Sequence, residues 1–184
     1  MRRPGLLAMI SAIGLLTLSG ASSSGEVPPI TPSKPLWVVG DSIGVGIAAA
    51  LRRAGERITD MAVESTNARQ WVVELAKGQW PSEPATIVVS LGTNDAASAV
   101  LLREFRANAE TIMRALLARG HQVIWILPPS PACRIPQGSD VEFFMNLGGH
   151  WVLDRSIELS DKWHPTAAGY DRLAASVRAI RKGQ

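Results

Sequence analysis

Three short segments of the chain combine residue types that can carry out nucleophilic and acid–base chemistry. The tripeptide GDS at 40–42 places the Ser42 hydroxyl directly after an apolar run, and DKWH at 161–164 places Asp161 three residues before His164. Residues three apart share a side in a turn or at the start of a helix, so Asp161 can hold one ring nitrogen of His164. The other nitrogen can then take the proton of a nucleophilic hydroxyl.

A third segment, GTND at 92–95, places the Asn94 amide after another apolar run. Such an amide can donate a hydrogen bond to an oxyanion as it develops. Structural roles are open for each of these residues: Gly-Thr-Asn-Asp is ordinary turn chemistry, Asp161 could cap a helix, and His164 could be an exposed polar residue.

The stretch around Ser42, LWVVGDSIGVG at 36–46, fits three hypotheses. Gly40-x-Ser42-x-Gly44 matches a nucleophile elbow. Gly44-x-Gly46-x-x-Ala49 loosely matches a dinucleotide-binding loop, although that loop should begin at the end of the strand. A plain strand-to-helix turn, capped by Asp41 or Ser42, fits equally well.

The elements that must position these residues alternate along the chain. Continuous apolar runs typical of strands occupy 36–40, 58–63, 86–92 and 122–128, and helical segments occupy 43–54, 67–77, 101–119 and 166–181, with a mixed segment at 140–154. Apolar strands separated by helices predict an α/β fold whose parallel sheet is covered on both faces. Ligands bind at the carboxyl ends of such strands. We therefore expect the residues that follow the strands, at 40–42, 64–66, 92–95 and 128–130, to share one edge.

Taken together, GDSIGVG (40–46), LGTNDA (91–96) and DKWHP (161–165) resemble the SGNH/GDSL hydrolase family in their order and spacing. The resemblance spans essentially the whole predicted domain at 36–184. It implies a three-layer α/β/α sandwich with a mostly parallel, flavodoxin-like sheet and an ester hydrolase that needs no cofactor or metal. It assigns Ser42 as the nucleophile, His164 as the base and Asp161 as the residue that orients the imidazole.

The same resemblance implies an oxyanion hole with three donors, two of them the Ser42 N–H and the Asn94 side chain. The third donor in the family is a glycine N–H in the loop after the second strand. This chain has no glycine in AVESTNARQW (62–71), and Ser65 lies where that glycine would fall. Any residue except proline can supply a backbone N–H, so we expect Ser65 to take this role.

Two other hypotheses compete with this family. The α/β-hydrolase elbow fits the glycines around Ser42, but that fold normally places its serine later in a longer chain and separates acid from base. A non-catalytic binding module of the same fold is the alternative from another functional class. Hydrolysis of a short-chain nitrophenyl ester discriminates between the module and an enzyme.

The sequence says less about the substrate. We expect two tryptophans in strand runs, Trp37 and Trp125, to lie in the core. Four others are candidates for a sugar- or acyl-binding surface: Trp71, Trp80, Trp151 and Trp163. We assign substrate binding to Trp163, beside His164, and to Asp41. The favoured substrate is an O-acetyl or short acyl ester of a carbohydrate or small molecule, and the runner-up is a lysophospholipid or thioester.

The N-terminal segment and the charge balance indicate where the protein acts and which partners are not expected. Residues 1–21 have two arginines, a short apolar core and small residues at a cleavage position, which predicts an export signal and a periplasmic or secreted protein. An uncleaved tethering helix is the alternative. Residues 22–35 are Ser/Pro-rich and predict a flexible linker. Without the signal, 17 basic residues face 16 acidic ones, so nucleic acid is not an expected partner.

The remaining candidate residues are one cysteine and two histidines. Cys133 is the only cysteine in the chain, which excludes an intrachain disulfide, and we expect a small buried side chain. His121 follows a glycine that ends a helix and is expected to be a solvated turn residue. His150 has no acid close upstream, and its role is left open.

Overall fold

A computed structural model of the chain describes residues 34–133, 143 and 146–183. The predicted export signal at 1–21 lies outside the described residues, as does the predicted linker up to residue 33. Among the described helices, none is both long and apolar enough to cross a membrane.

In the part of the chain that the structure describes, five parallel strands form the central sheet in the order β2-β1-β3-β4-β5. Their bounds are Leu36–Gly40 (β1), Ile58–Asp60 (β2), Thr86–Ser90 (β3), Gln122–Ile126 (β4) and His150–Val152 (β5). Every residue of β3 is buried, as expected for a central strand that is covered on both faces.

Within the described residues, four helices cover the sheet: Ser42–Arg53 (α1), Ala68–Ala76 (α2), Ala99–Ala118 (α3) and Ala167–Arg181 (α4). Helices α1 and α4 pack together over one face, where Ile47 and Leu173 join Val38 in a buried cluster. Helices α2 and α3 pack together over the other face, where Trp71 and Ile112 join a second cluster. The predicted three-layer α/β/α architecture is confirmed.

The element boundaries differ slightly from the sequence prediction. Strand β2 is shorter than the predicted 58–63, yet the N–H groups of Met61 and Val63 still donate to the Val38 and Gly40 carbonyls at 2.8 and 2.9 Å. The chain therefore continues beside β1 past the end of β2. Strand β5 comes from the segment at 140–154 for which the sequence favoured neither helix nor strand.

The strand order determines where a site can form. In a sheet of order 2-1-3-4-5, the connections from β1 and β3 leave toward opposite faces, which opens a crevice between the carboxyl ends of these two strands. Ser42 follows β1, and Asn94 follows β3. The two segments singled out by their chemistry thus flank this crevice.

Candidate active site

A hydrogen-bonded chain joins the serine, the histidine and the aspartate at the carboxyl edge of the sheet. Ser42 Oγ lies 2.9 Å from His164 Nε2, and His164 Nδ1 lies 2.8 Å from Asp161 Oδ2. If Nδ1 carries the ring proton and donates it to the carboxylate, Nε2 is left to accept the serine proton. This is the geometry of a catalytic triad.

The short segment at 160–165, here called the base loop, is built largely from its own residues. Asp161 Oδ1 accepts the backbone N–H groups of Trp163 and His164 at 2.6 and 2.7 Å, which leaves Oδ2 for the imidazole. The Ser160 N–H closes the loop by donating to the His164 carbonyl at 2.8 Å. Ser130, after β4, secures it from outside by donating its hydroxyl to the Lys162 carbonyl at 2.6 Å.

These contacts also determine the charge of the aspartate. The backbone N–H groups of His164 and Trp163, followed by the imidazole itself, lower the pKa of Asp161 to about 2. The carboxylate is thus ionised wherever the imidazole could act as a base. The Asp161 and His164 side chains are 54% and 37% exposed, so the triad lies on an open rim rather than in a deep pocket.

The turn that carries Ser42 is the capped strand-to-helix turn, and Ser42 lacks the positive φ of a nucleophile elbow. Asp41 caps α1, its Oδ1 accepting the Ile43 N–H at 3.0 Å, while Ser42 occupies the first turn of that helix. Gly40 has a φ of +143°, and a Cβ there would lie 2.1 Å from the Ser90 carbonyl oxygen. Asp41 is fully buried, so the expectation that its side chain binds substrate is wrong: it is a structural cap.

The dinucleotide-loop hypothesis is wrong because Gly44 and Gly46 lie inside α1. Both positions need glycine because neighbouring groups leave little room for a side chain. A Cβ on Gly44 would approach Ala62 to 3.1 Å, and one on Gly46 would lie 2.2 Å from the Tyr170 ring. Neither glycine is therefore in a loop that could cradle phosphate groups.

The segment at 64–67, here called the oxyanion loop, holds the predicted third donor. Ser65 has a φ of +63°, and it alone among the described non-glycine residues has a positive φ. Glycine adopts this conformation at least cost, so Ser65 has the backbone of a glycine at the position where the resemblance expects one.

Thr66 fixes the shape of this loop and is the residue that sequence reasoning missed. Its hydroxyl oxygen lies 2.9 Å from the Gly40 carbonyl oxygen and 2.7 Å from the Val63 carbonyl oxygen, which share its single proton, and it accepts the Trp71 indole N–H at 3.0 Å. A threonine two residues before a helix was visible in the sequence. Its partners were not, because Gly40 is 26 positions away.

Asn94 and Asp95 join the oxyanion loop to the segment after β3. The Asn94 amide donates to the Thr66 carbonyl at 2.8 Å, and the Asp95 carboxylate accepts the Ala68 N–H, the first of α2, at 3.1 and 3.2 Å. An amide nitrogen carries two hydrogens, so this bond leaves one hydrogen of Asn94 for a substrate oxygen. The four strand-end segments predicted to share one edge do so.

Two buried acids lie beneath this rim. Burial raises the pKa of Asp41 to about 7, reinforced by the nearby Asp95 and opposed by the N–H groups of Ile43 and Gly44. Burial likewise raises the pKa of Asp95 to about 6, opposed by the Ala68 N–H. Oδ2 of Asp41 has no hydrogen-bond partner within the described part of the chain, which fits a carboxyl group that holds its proton more tightly than an exposed one.

The tryptophan predictions are partly wrong. Trp71 and Trp80 are 3% and 7% exposed and pack edge-to-face in the core, so Trp80 offers no binding surface, while Trp71 contributes only a small part of the lining of a groove beside α2. Trp151 is half-buried and stacks on Trp125, which is fully buried as predicted. Trp163 is half-buried beside His164, and Trp37 packs partly buried against the core.

The histidine prediction is wrong for His121, which is buried rather than solvated. Its Nδ1 accepts the Ala85 N–H at 3.1 Å, and burial lowers its pKa, with Arg119 and Lys34 adding to the effect. His150 is exposed at the amino end of β5, at the opposite end of the strands from the triad. Cys133 is buried, as predicted.

No group of three or more histidines, cysteines or acids placed to hold a metal ion occurs among the residues that the structure describes.

Comparisons with known proteins support the fold and leave the family open at the level of sequence. No family model matches the chain, and no curated protein matches it closely enough to count. Solved structures do match. TesA superposes with a TM-score of 0.59 at 18% identity over 82% of this chain and 99% of its own.

Two further structures extend this comparison. A GDSL-like lipase from Bacteroides thetaiotaomicron superposes with a TM-score of 0.58 at 18% identity, over 84% of this chain and 91% of its own. The acetylxylan esterase Axe2 from Geobacillus stearothermophilus gives 0.57 at 13% identity, over 82% and 94%. At these identities the likeness concerns the fold. The chain has the fold of the SGNH/GDSL esterases, as the motifs predicted.

Proposed function

We propose that this protein is a serine ester hydrolase of the SGNH/GDSL type. The observation that carries the proposal is the chain of hydrogen bonds from Ser42 through His164 to Asp161. The fold shared with esterases supports it but does not by itself assign an activity.

In the proposed reaction, Ser42 Oγ attacks the ester carbonyl carbon while Nε2 of His164 takes its proton. The carbonyl π electrons move to oxygen, and the oxyanion is stabilised by the N–H groups of Ser42 and Ser65 and by the Asn94 amide. His164 then returns the proton to the leaving alcohol, and the acyl group stays on Ser42. Water, activated by the same imidazole, releases the acid and restores the serine.

The open rim favours an ester whose alcohol part is bulky. Asp161 and His164 are each more than a third exposed, and half-buried Trp163 offers an aromatic surface beside the base. A sugar ring can pack against such a surface. We therefore propose an acylated carbohydrate or small ester as the substrate, with O-acetyl and short acyl groups as the first candidates.

A second candidate is an ester or thioester of a longer acyl chain, as in a lysophospholipid. The observation in its favour is an apolar groove next to the oxyanion loop, lined by Val63 and Val73. We further propose that the protein is exported, on the charge and apolar pattern of residues 1–21 alone.

The test is hydrolysis of p-nitrophenyl acetate and butyrate by the purified protein and by Ser42→Ala. We expect saturable turnover by the wild type and only background release by the variant. Ser176→Ala, which removes a hydroxyl bonded to the Arg172 carbonyl on α4, is the matched control and should keep full activity. A folded wild type that hydrolyses neither ester would instead favour a non-catalytic binding module.

A further inference from the structure

A cavity of about 520 Å³ lies at the opposite end of the strands from the triad. Its lining includes Thr86 and Gln122, the first residues of β3 and β4, and the last turn of α4. We call it the amino-edge cavity. Its volume lies within the range of small-molecule sites, about 300–1,000 Å³. The length of the strands separates it from Ser42 by about 15 Å, so a ligand bound here would not occupy the ester site.

Basic side chains dominate the lining of this cavity. Among the described residues, four basic side chains and one acidic one line it: Lys34, Arg178, Arg181, Lys182 and Glu56. This excess of three positive charges is larger than the excess of one in the whole chain after residue 21. The positive charge is therefore concentrated at this edge rather than spread over the surface.

Glu56 neutralises only part of this charge. Its carboxylate oxygens accept from Arg178 Nε at 3.1 Å and from Arg181 Nη1 at 2.7 Å, so two guanidinium groups share one negative charge. Arg181 also donates from Nη2 to the Lys34 carbonyl at 2.8 Å, and its side chain is only 11% exposed. These contacts hold Arg181 as a fixed positive charge in the cavity lining.

The other three basic side chains have groups left to bind a ligand. The bond to Glu56 uses only Nε of Arg178, and this side chain is 39% exposed, so its two terminal nitrogens can face a ligand. The ammonium groups of Lys34 and Lys182 form no ion pair with any described residue. A guanidinium fork and two ammonium groups therefore remain available in one concave surface.

A structural alternative explains only part of this cluster. Basic residues in the last turn of a helix stabilise its negative end, which accounts for Arg178 and Lys182 on α4. It does not account for Lys34, which precedes β1. Burial lowers the pKa of His121, and the positive charges of Arg119 and Lys34 lower it further. The charge of Lys34 thus acts on its surroundings at this edge instead of being cancelled by a neighbouring acid.

We propose that the amino-edge cavity binds a phosphate group, either as the free ion or as a phosphate monoester. A guanidinium fork matches two phosphate oxygens, and ammonium groups add positive charge without a fixed geometry. A phosphate monoester carries nearly two negative charges at pH 7, which suits an excess of three positive charges better than a singly charged phosphodiester does. The site is separate from ester hydrolysis, because no triad residue is among its described lining residues.

Calorimetric titration of the purified protein with inorganic phosphate and with glycerol 3-phosphate tests the site. Ionic strength is kept low and constant with sodium chloride. We expect both probes to bind with a Kd at or below about 1 mM, and binding to weaken as salt is added. A folded wild type that binds neither probe would overturn the proposal.

Four variants locate the bound phosphate. Lys182→Gln removes one charge, and Arg178→Lys keeps the charge but loses the fork, so each should raise the Kd about fivefold. Glu56→Gln removes the one acid in the described lining and should lower the Kd, which a purely structural role of these residues would not produce. Lys77→Gln is the matched control, because Lys77 also caps the end of a helix but pairs with Glu74 outside the cavity. Its Kd should equal that of the wild type.

Other outcomes would overturn the site. Circular dichroism checks that each variant is folded. Equal affinity for phosphate in the wild type, Lys182→Gln and Arg178→Lys would mean that phosphate binds elsewhere. Weaker binding in Glu56→Gln would mean that this residue supports the structure rather than competing with the ligand. Binding to phosphatidylglycerol vesicles, but neither to phosphatidylcholine vesicles nor to glycerol 3-phosphate, would assign the basic residues to a membrane surface instead.

Discussion

The base loop at 160–165 and the oxyanion loop at 64–67 flank the same serine, but they are held in opposite ways. Asp161 finds its three partners within three residues of itself and remains 54% exposed. Thr66 and Asn94 instead hold partners 26 and 28 positions away, above two buried acids. The proposed proton-transfer half of the site is therefore held mainly by local contacts, whereas the proposed charge-stabilising half depends on contacts between distant segments.

Removal of the base should give the largest effect and tests the local half. His164→Ala should lower kcat by at least about 10⁴-fold, because the serine loses the group that takes its proton. The kcat of the double variant Ser42→Ala/His164→Ala should be only slightly lower than that of either single variant, since triad members act as a unit. Steady-state kinetics on p-nitrophenyl acetate give the values, and losses that add in the double variant would refute a shared role.

Removal of the amide donor comes next and tests the tertiary half. Asn94→Ala should lower kcat by roughly a hundred- to a thousandfold with little change in KM, since the bond strengthens as charge develops on the substrate oxygen. The same amide also holds the Thr66 carbonyl, so thermal unfolding must be measured alongside. If KM rises while kcat is unchanged, Asn94 binds the substrate but does not stabilise the transition state.

The contrast between the two halves also shows what the sequence could and could not predict. The alternation of apolar runs and helices predicted the sheet, and the spacing of Asp161 and His164 predicted their contact, because both signals are local. The roles of Thr66 and the burial of Trp71 depend on contacts across the sheet that no short pattern records. His121 was misjudged for the same reason, since its partner at Ala85 is 36 positions away.

The buried acids should make stability depend on pH in a direction opposite to that of the exposed one. The pKa of Asp41 is raised from 3.8 to about 7, so between these values the folded state binds more protons than the unfolded state, and stability falls as pH rises. Asp161, whose pKa is lowered to about 2, contributes stability that is lost only as pH falls below about 4.

The melting temperature of Asp41→Asn, relative to that of the wild type, should therefore rise as pH increases from about 5 to about 8. The rise should be roughly 2–4 °C for each kcal/mol of unfolding free energy that the wild type loses over this range. Asparagine still caps a helix, and taking the difference between the two proteins cancels the opposing contribution of His121, whose pKa is lowered by burial. Calorimetry at several pH values gives the comparison. A difference in melting temperature that is constant with pH would mean that Asp41 is ionised throughout.

The smallest effect is expected at Ser65, where backbone conformation rather than the side chain should matter. Ser65→Gly keeps the N–H and suits the positive φ, so kcat should stay within about twofold of the wild type and stability should not fall. Ser65→Val also keeps the N–H, but a β-branched residue is strained at this φ and should lower kcat. A large loss in Ser65→Gly would show that the hydroxyl itself acts at the site.

The central claim is that Ser42 is a nucleophile activated by His164, and covalent labelling tests it most directly. An alkyl p-nitrophenyl phosphonate should transfer its phosphonyl group to Ser42 and release one equivalent of nitrophenolate. We expect the mass increase on the peptide that contains Ser42, no labelling in Ser42→Ala and much slower labelling in His164→Ala. Equal labelling of wild type and Ser42→Ala, or an adduct on another peptide, would contradict the account.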